Sequence, residues 1–266
     1  MRKRKPEFPG AGSRTGVRET AGSSDFTRRR FLRDLLAGSV VVACGFRGSV
    51  AGPAKEGGHR YAFVIDVNKC IGCGKCVAAC KRENGVPEQV TRTWVEHYVA
   101  TPRGIYVDSP KAALDGFPEE VPEEIAKEAK WAAFVPKLCN HCAQPPCVQV
   151  CPVGATFRSP EGFVLVDPEH CIACGYCVQG CPYGARFINP VKRIADKCTW
   201  CYHRVTRGLL PACVTVCPTG ARRFGDLNDP ASPAAKVFAA DNYSVLKPAM
   251  HTNSMCFYLN LPREVI

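Results

Sequence analysis

Sixteen of the eighteen cysteines in this 266-residue chain stand in four groups of four between Cys70 and Cys217, and no other feature restricts its fold as strongly. The groups are Cys70, Cys73, Cys76 and Cys80; Cys139, Cys142, Cys147 and Cys151; Cys171, Cys174, Cys177 and Cys181; and Cys198, Cys201, Cys213 and Cys217. The first and third have the spacing C-x2-C-x2-C-x3-C. A backbone coiled that tightly turns three sulfurs and several peptide N–H groups onto one inorganic core, while a fourth sulfur arrives from elsewhere. Gly72 and Gly74 in the first loop, and Ala173 and Gly175 in the third, leave room for such wrapping. The expected cofactors are four 4Fe-4S clusters with all sixteen cysteines as iron ligands, and the expected work is electron transfer.

Zinc and disulfides are the competing uses of cysteine. The second and fourth groups in isolation fit paired C-x2-C zinc knuckles, but two complete cluster runs in the same chain argue for iron. A structural zinc protein stays the remote alternative. Triplets of cysteines two residues apart are too close-set to pair off as a disulfide framework.

Three groups leave their last cysteine through the same word: Cys151-Pro152-Val153-Gly154-Ala155, Cys181-Pro182-Tyr183-Gly184-Ala185 and Cys217-Pro218-Thr219-Gly220-Ala221. Proline biases the preceding cysteine toward extended geometry, and glycine lets the chain turn away. Cys80 is followed instead by Lys81-Arg82-Glu83-Asn84-Gly85, so its exit must be built differently. The chain also repeats itself. Asp66 to Cys80 aligns with Asp167 to Cys181 at an offset of 101, and Cys147-Val148-Gln149-Val150-Cys151-Pro152 mirrors Cys213-Val214-Thr215-Val216-Cys217-Pro218. One supersecondary unit has been used more than once.

The local structure expected round these groups is sparse. Tyr61 to Ile65 and Phe163 to Val166 read as strands, the latter in a hairpin with Ala155 to Arg158 round the type I turn Ser159-Pro160-Glu161-Gly162. Cys147 to Cys151 and Cys177 to Cys181 leave space for one helical turn each. With strands so short, a conventional core is not expected to carry the fold, and clusters are expected to supply the missing stability.

At the other end of the chain, Thr27-Arg28-Arg29-Arg30-Phe31-Leu32-Arg33, the apolar run Leu35 to Ala43 and the small residues that follow read as a twin-arginine export signal. Its apolar run is too short and broken for a membrane span. This route predicts a periplasmic protein exported folded, its clusters built inside the cell. Ser49-Val50-Ala51 offers a cleavage site, while Val41-Val42-Ala43-Cys44 resembles a lipoprotein box that would anchor Cys44.

The formal net charge of +11 suggests nucleic acid, yet residues 1 to 60 hold 13 Lys/Arg against 5 Asp/Glu, which leaves only +3 for the remainder. Four clusters at about −2 each with their thiolates make the mature protein acidic, so no nucleic-acid partner is expected. Residues 81 to 138 form a long connector in which Pro122, Glu123, Glu124 and Glu128 suggest a short helix with acid near its start. It reads as a solvated surface insert or a partner-docking segment. Met255, Phe257 and Leu259 alternate with Cys256 and Tyr258 as in a terminal strand, and Cys256 reads as a buried thiol. Trp94, Trp131 and Trp200 read as packing residues. No nucleotide or flavin fingerprint follows a strand, so no substrate site of its own is expected.

The run from Pro136-Lys137-Leu138-Cys139-Asn140-His141-Cys142 through Pro145-Pro146-Cys147 to Asp196-Lys197-Cys198-Thr199-Trp200-Cys201-Tyr202-His203-Arg204 resembles the four-cluster ferredoxin subunits of membrane-bound respiratory oxidoreductases, those of polysulfide, tetrathionate, dimethyl sulfoxide and formate. With the leader and the ending Gly225-Asp226-Leu227-Asn228-Asp229-Pro230, it is most similar to the periplasmic ferredoxin subunits of complexes associated with dissimilatory sulfite reductase, with tetrathionate and polysulfide reductase subunits as close rivals. The resemblance implies an α+β fold of two interlocked bacterial-type ferredoxin modules of two 4Fe-4S clusters each. Residues 1–51 would be the signal peptide, 52–100 with 190–225 one module, 101–135 an insert, 136–189 the second module and 226–266 a C-terminal extension. It also implies four ligand sets: Cys70, Cys73, Cys76 and Cys217; Cys198, Cys201, Cys213 and Cys80; Cys139, Cys142, Cys147 and Cys181; and Cys171, Cys174, Cys177 and Cys151. The Cys70 set would face a soluble redox partner, either a molybdopterin catalytic subunit or a multihaem cytochrome. The Cys171 set would face a quinone-reactive integral membrane subunit, through which the protein associates peripherally with the membrane.

Overall fold

The computed structural model describes residues 58–117 and 120–266; the twin-arginine run, both cleavage motifs, Cys44 and the rest of the 1–51 leader lie outside the described residues. Strand β1 (Tyr61–Asp66) is buried along almost its whole length. It is the centre of a three-stranded sheet, paired antiparallel with β9 (Arg222–Asp226) and parallel with β10 (Cys256–Leu259). A central strand covered on both faces reads as an unbroken apolar run, and Ala62-Phe63-Val64-Ile65 is one. The extension beyond residue 226 therefore completes the sheet beside the first strand. Its strand is apolar on both faces, with Cys256, Phe257 and Tyr258 all buried, and Ser244 bridges Tyr258 from the far side.

A second sheet, in the order β3-β2-β4, comprises β2 (Thr93–Thr101), β3 (Gly104–Asp108) and β4 (Trp131–Leu138), all antiparallel. Both β2 and β4 run past the limits of the 101–135 insert. The insert lies on the protein's own first cysteine loop: a Cβ on Gly74 would meet Ala113 O at 2.1 Å, and one on Gly72 would meet the Phe134 ring at 2.7 Å. Within it, α2 (Glu123–Lys127) is a five-residue helix with Glu123 and Glu124 in its first turn, where acid complements the helix dipole.

The remaining elements are small. β5 (Thr156–Arg158) and β6 (Val164–Val166) form the expected hairpin, closed by Gly162 N–H donating to Ser159 O at 2.9 Å. β7 (Arg186–Ile188) and β8 (Ala195–Lys197) form its counterpart. Single helical turns follow four cysteine loops: α3 (Pro146–Gln149), α4 (Tyr176–Gln179), α5 (Tyr202–Val205) and α6 (Ala212–Thr215). Helix α7 (Pro233–Ala239) is capped by Ser232, whose hydroxyl accepts from Ala235 N–H at 3.1 Å.

The first group departs from this pattern as its sequence requires. Helix α1 (Lys75–Asn84) carries Cys76 and Cys80 and continues through the residues that replace the Pro-x-Gly-Ala word. Gly85 ends it in the left-handed conformation at φ 56°. The Lys81 ammonium then donates to the carbonyls of Pro87, Glu88 and Val90 at 2.8, 2.9 and 2.7 Å, which holds the exit loop.

A core forms all the same, and cysteines are part of it. Short strands gather an aromatic core from distant loops: Trp200 packs against Phe63, Phe163 and Phe224 at ring distances of 5.9, 6.1 and 5.5 Å. Each such pair adds about 0.5–1.5 kcal/mol to ordinary burial. Cys76, Cys139, Cys198 and Cys213 belong to the same apolar cluster, so core and cysteine loops are one body. No described helix is long and apolar enough to cross a membrane.

Candidate metal centres

Four cavities lie among the cysteines. Cys70, Cys73, Cys76 and Cys217 line one; Cys80, Cys198, Cys201 and Cys213 line the second. Cys139, Cys142, Cys147 and Cys181 line the third, and Cys151, Cys171, Cys174 and Cys177 the fourth. Three sulfurs of each cavity come from one cysteine group and the fourth from another. None of the described cysteines is in a disulfide. Cys256 is the one described cysteine outside the cavities, and burial pushes its thiol well up.

Four sulfurs round an open cavity suit a polynuclear core. Tetrahedral zinc at about 2.3 Å from sulfur needs its ligands roughly 3.8 Å apart. No three His, Cys, Asp or Glu side chains among the described residues converge closely enough to hold one ion, whereas four sulfurs surround each open cavity.

Polar groups are turned onto the sulfurs. Thr156 N–H donates to Cys151 Sγ at 3.4 Å, Ala195 N–H to Cys171 Sγ at 3.3 Å, and Trp200 N–H to Cys198 Sγ at 3.3 Å. Asn84 Nδ2 reaches Cys80 Sγ and Cys201 Sγ at 3.6 and 3.8 Å. Burial opposes ionisation of Cys151 and Cys217, yet backbone N–H groups of the following Pro-x-Gly-Ala turns hold both below the ordinary thiol range. Elsewhere burial wins. It pushes Cys80, Cys142 and Cys213 up to about 12, and Cys70 and Cys147 up to about 11. Such thiols stay protonated at neutral pH unless iron displaces the proton.

Two buried arginines complete the fit. Arg222 lines the Cys70 cavity and Arg186 the Cys139 cavity; they are 2% and 4% exposed. Nη1 of Arg222, and Nε and Nη2 of Arg186, have no hydrogen-bond partner among the described protein atoms. A buried cation with idle N–H groups is costly unless an anion faces it, and an iron–sulfur core with four thiolates is an anion. The donor sets, cavities and idle cations all fit 4Fe-4S clusters.

Sequence reading stopped one residue short of these arginines. The shared word after Cys181 and Cys217 continues into Arg186 and Arg222, but into Thr156 after Cys151, and that difference was the available signal. Thr252 was missed too. It sits near Cys142, bonds Tyr183 Oη at 2.5 Å and accepts from Gln144 N–H at 3.0 Å, so the C-terminal extension braces the Cys139 cavity. No local pattern reveals it.

Groups two and four cross over each other at the centre. Trp200 Nε1 donates to Cys139 O at 3.0 Å, and His141 Nε2 lies 3.0 Å from Cys198 O. Val164 N–H donates to His141 Nδ1 at 3.1 Å, so the proton is on Nε2 and the buried ring is neutral. The His141 and Trp200 rings stack at 4.2 Å.

Two family models, both described as 4Fe-4S dicluster domains, match residues 69–155 and 130–227. A tetrathionate reductase subunit of Salmonella typhimurium is 41% identical over 250 residues, 91% of each chain. The chain belongs to the ferredoxin subunits of membrane-bound respiratory oxidoreductases. The corresponding tetrathionate reductase subunit of Archaeoglobus fulgidus is 46% identical over 206 residues, 77% of this chain and 84% of the relative. The thiosulfate reductase electron transfer subunit of Salmonella typhi is 38% identical over 172 residues, 64% and 78%. This ferredoxin subunit thus contains two dicluster domains of mixed helix and strand, binds iron–sulfur clusters, and transfers electrons within an oxidoreductase complex without a catalytic site of its own.

Proposed function

We propose that this subunit is a four-cluster relay on the outer side of the cytoplasmic membrane, carrying electrons between a quinone-reactive integral membrane subunit and a redox partner in a sulfur-compound respiratory complex. The observation that carries the reading is that each of four cavities is lined by four cysteines. Each 4Fe-4S cluster, when bound, takes up and releases one electron. Cys70, Cys73, Cys76 and Cys217; Cys198, Cys201, Cys213 and Cys80; Cys139, Cys142, Cys147 and Cys181; and Cys171, Cys174, Cys177 and Cys151 are the proposed ligand sets, two in each interlocked module.

Exposure supports the order. Cys73 and Cys174 are exposed, beside Ile71 and Ile172, which are 58% and 60% exposed, while every cysteine lining the Cys198 cavity is buried. Electrons would enter and leave at the Cys70 and Cys171 ends and pass through the interior between them. The protein insulates the interior with its aromatic core and excludes water from it. The names of the relatives favour a tetrathionate- or thiosulfate-type reductase, with a molybdopterin catalytic subunit as the redox partner; the alternative is a sulfite reductase-associated complex with a multihaem cytochrome. Export rests on the Thr27–Arg33 run and the apolar stretch after it.

Iron and acid-labile sulfide analysis of the purified full chain is expected to give about 16 of each; about four zincs would overturn the reading. Cys174→Ser is expected to abolish quinol-linked electron flow while leaving the Cys70 end reducible by a soluble donor. Unchanged quinol-linked flow would overturn the assignment of that end. Mass spectrometry of the mature N-terminus is expected to find cleavage after Ala51 or a lipidated Cys44; an intact leader on a cytoplasmic protein would refute export.

A further inference from the structure

Arg222 and Arg186 occupy equivalent positions in the two modules, five residues beyond Cys217 and Cys181. Each leans on a threonine next to the neighbouring cavity: Arg222 Nη2 donates to Thr93 Oγ1 at 2.9 Å and Arg186 Nη1 to Thr156 Oγ1 at 3.1 Å. Neither makes a salt bridge with a carboxylate among the described residues, and Nη1 of Arg222 and Nε and Nη2 of Arg186 have no partner there. Arg222 lines its cavity together with Cys70 and Cys76, and the Thr93 it bonds lines the cavity of Cys213. Arg92 differs from both. It lines the Cys198 cavity but is paired with Asp196 at 2.7 Å, which offsets its charge.

The Cys171 cavity is lined by no ionisable side chain besides its cysteines, because Thr156 stands where the other two words have arginine. Its exposure matches that of the Cys70 cavity residue for residue: Cys70 and Cys171 are intermediate, Cys73 and Cys174 exposed, Cys76 and Cys177 buried, Cys217 and Cys151 intermediate. Exposure of the cysteines therefore does not separate these two copies, although the insert rests on the Cys70 loop alone. The arginine does.

We propose that Arg222 and Arg186 set the order in which the centres accept electrons: each raises the reduction potential of the cluster it lines, so that the Cys70 and Cys139 centres are reduced before the Cys171 centre. The inference rests on the ligand sets proposed above. Taking one electron from an external donor changes a cluster with its thiolates from about −2 to about −3, with no bond or proton transferred. A fixed, unpaired positive charge in a low-dielectric wall stabilises the more negative state. Reducing equivalents shared along the relay would reside at the Cys70 and Cys139 centres rather than at the Cys171 end.

The test is a dithionite potentiometric titration of the full cluster-loaded chain followed by electron paramagnetic resonance. Signals are assigned by Cys73→Ser and Cys174→Ser, each of which perturbs its own centre. The signal that Cys73→Ser alters is expected to develop at higher potential than the one Cys174→Ser alters; an equal or reversed order overturns the proposal. Arg222→Gln is expected to move the Cys70 midpoint to lower potential, with a smaller shift at the Cys198 centre and none at the Cys171 centre, and Arg222→Lys to hold it near the native value. An unmoved midpoint in Arg222→Gln with iron intact, or equal shifts at all four centres, would also overturn it. Should Arg222→Gln lose its cluster, the order in the native chain decides. Iron and sulfide far below about 16 would refute the cluster assignment instead, whereas a full complement with unmoved midpoints refutes only the role of the arginines.

Discussion

Glu96 shows how one residue holds a sheet. Its carboxylate accepts from Lys137 Nζ at 2.6 Å, Trp94 Nε1 at 2.6 Å and Tyr98 Oη at 2.5 Å, and so links β2 to β4 beside the cysteine loops. Burial alone would raise its pKa, but these donors outweigh burial and hold the carboxyl below its ordinary value. A carboxyl whose folded pKa is depressed contributes stability that is present above its unfolded pKa, about 4.3, and is lost as the pH falls through the folded value. Glu96→Gln is expected to cost about 2 kcal/mol at neutral pH, with the difference shrinking as acid protonates the native carboxyl. Urea midpoints of both proteins across that range check it; a difference that persists or grows in acid would count against this role.

At the scale of elements, the duplicated loops are equal in sequence pattern and unequal in surroundings. Gly74 and Gly175 both take positive φ, 70° and 80°, at the start of α1 and α4. Round Gly175 nothing lies within 4 Å of an added Cβ, while at Gly74 that atom would strike backbone of the insert, Ala113 O at 2.1 Å and Gly116 N at 2.8 Å. Gly175→Ala is expected to cost only the left-handed penalty of about 1–2 kcal/mol. Gly74→Ala must also lift the insert off the Cys70 loop. Expected outcomes are near-native iron content in the first variant and loss of the Cys70 centre in the second, read by iron analysis and resonance signals. Equal iron content in both would show that the insert does not brace this loop. The cysteine spacing made both loops legible, but the insert's contact brings together residues about 40 apart, beyond the reach of any local pattern.

For the whole molecule, the apolar core and the four cavities share cysteines. Cys76, Cys139, Cys198 and Cys213 pack with Phe63, Trp200 and Phe224, so removing whatever those sulfurs ligate opens the centre of the protein. Chelation of iron under reducing conditions is therefore expected to abolish the visible iron–sulfur absorbance and most far-ultraviolet circular dichroism together. Absorbance lost with dichroism kept would mean that the aromatic core folds the chain unaided. Ligation in the native state alone is folding free energy, and short strands such as β5 to β8 have little else to hold them.

The sequence by itself determined the chemistry: which sixteen sulfurs are available, the tight loops that present them, the duplication, the hairpin round Ser159-Pro160-Glu161-Gly162 and the different exit after Cys80. Those features act within a few residues, where spacing, proline and glycine dictate geometry. Tertiary structure decided what depends on distant segments meeting: which fourth cysteine lines each cavity, the pairing of β10 with β1 across nearly the whole described chain, and the His141–Trp200 crossing. It also decided that Arg186 and Arg222 are buried cations with unpartnered nitrogens among the described residues. Burial and partnership are properties of the packed interior, and an arginine written after a proline–glycine turn acquires them only when the rest of the chain closes over it.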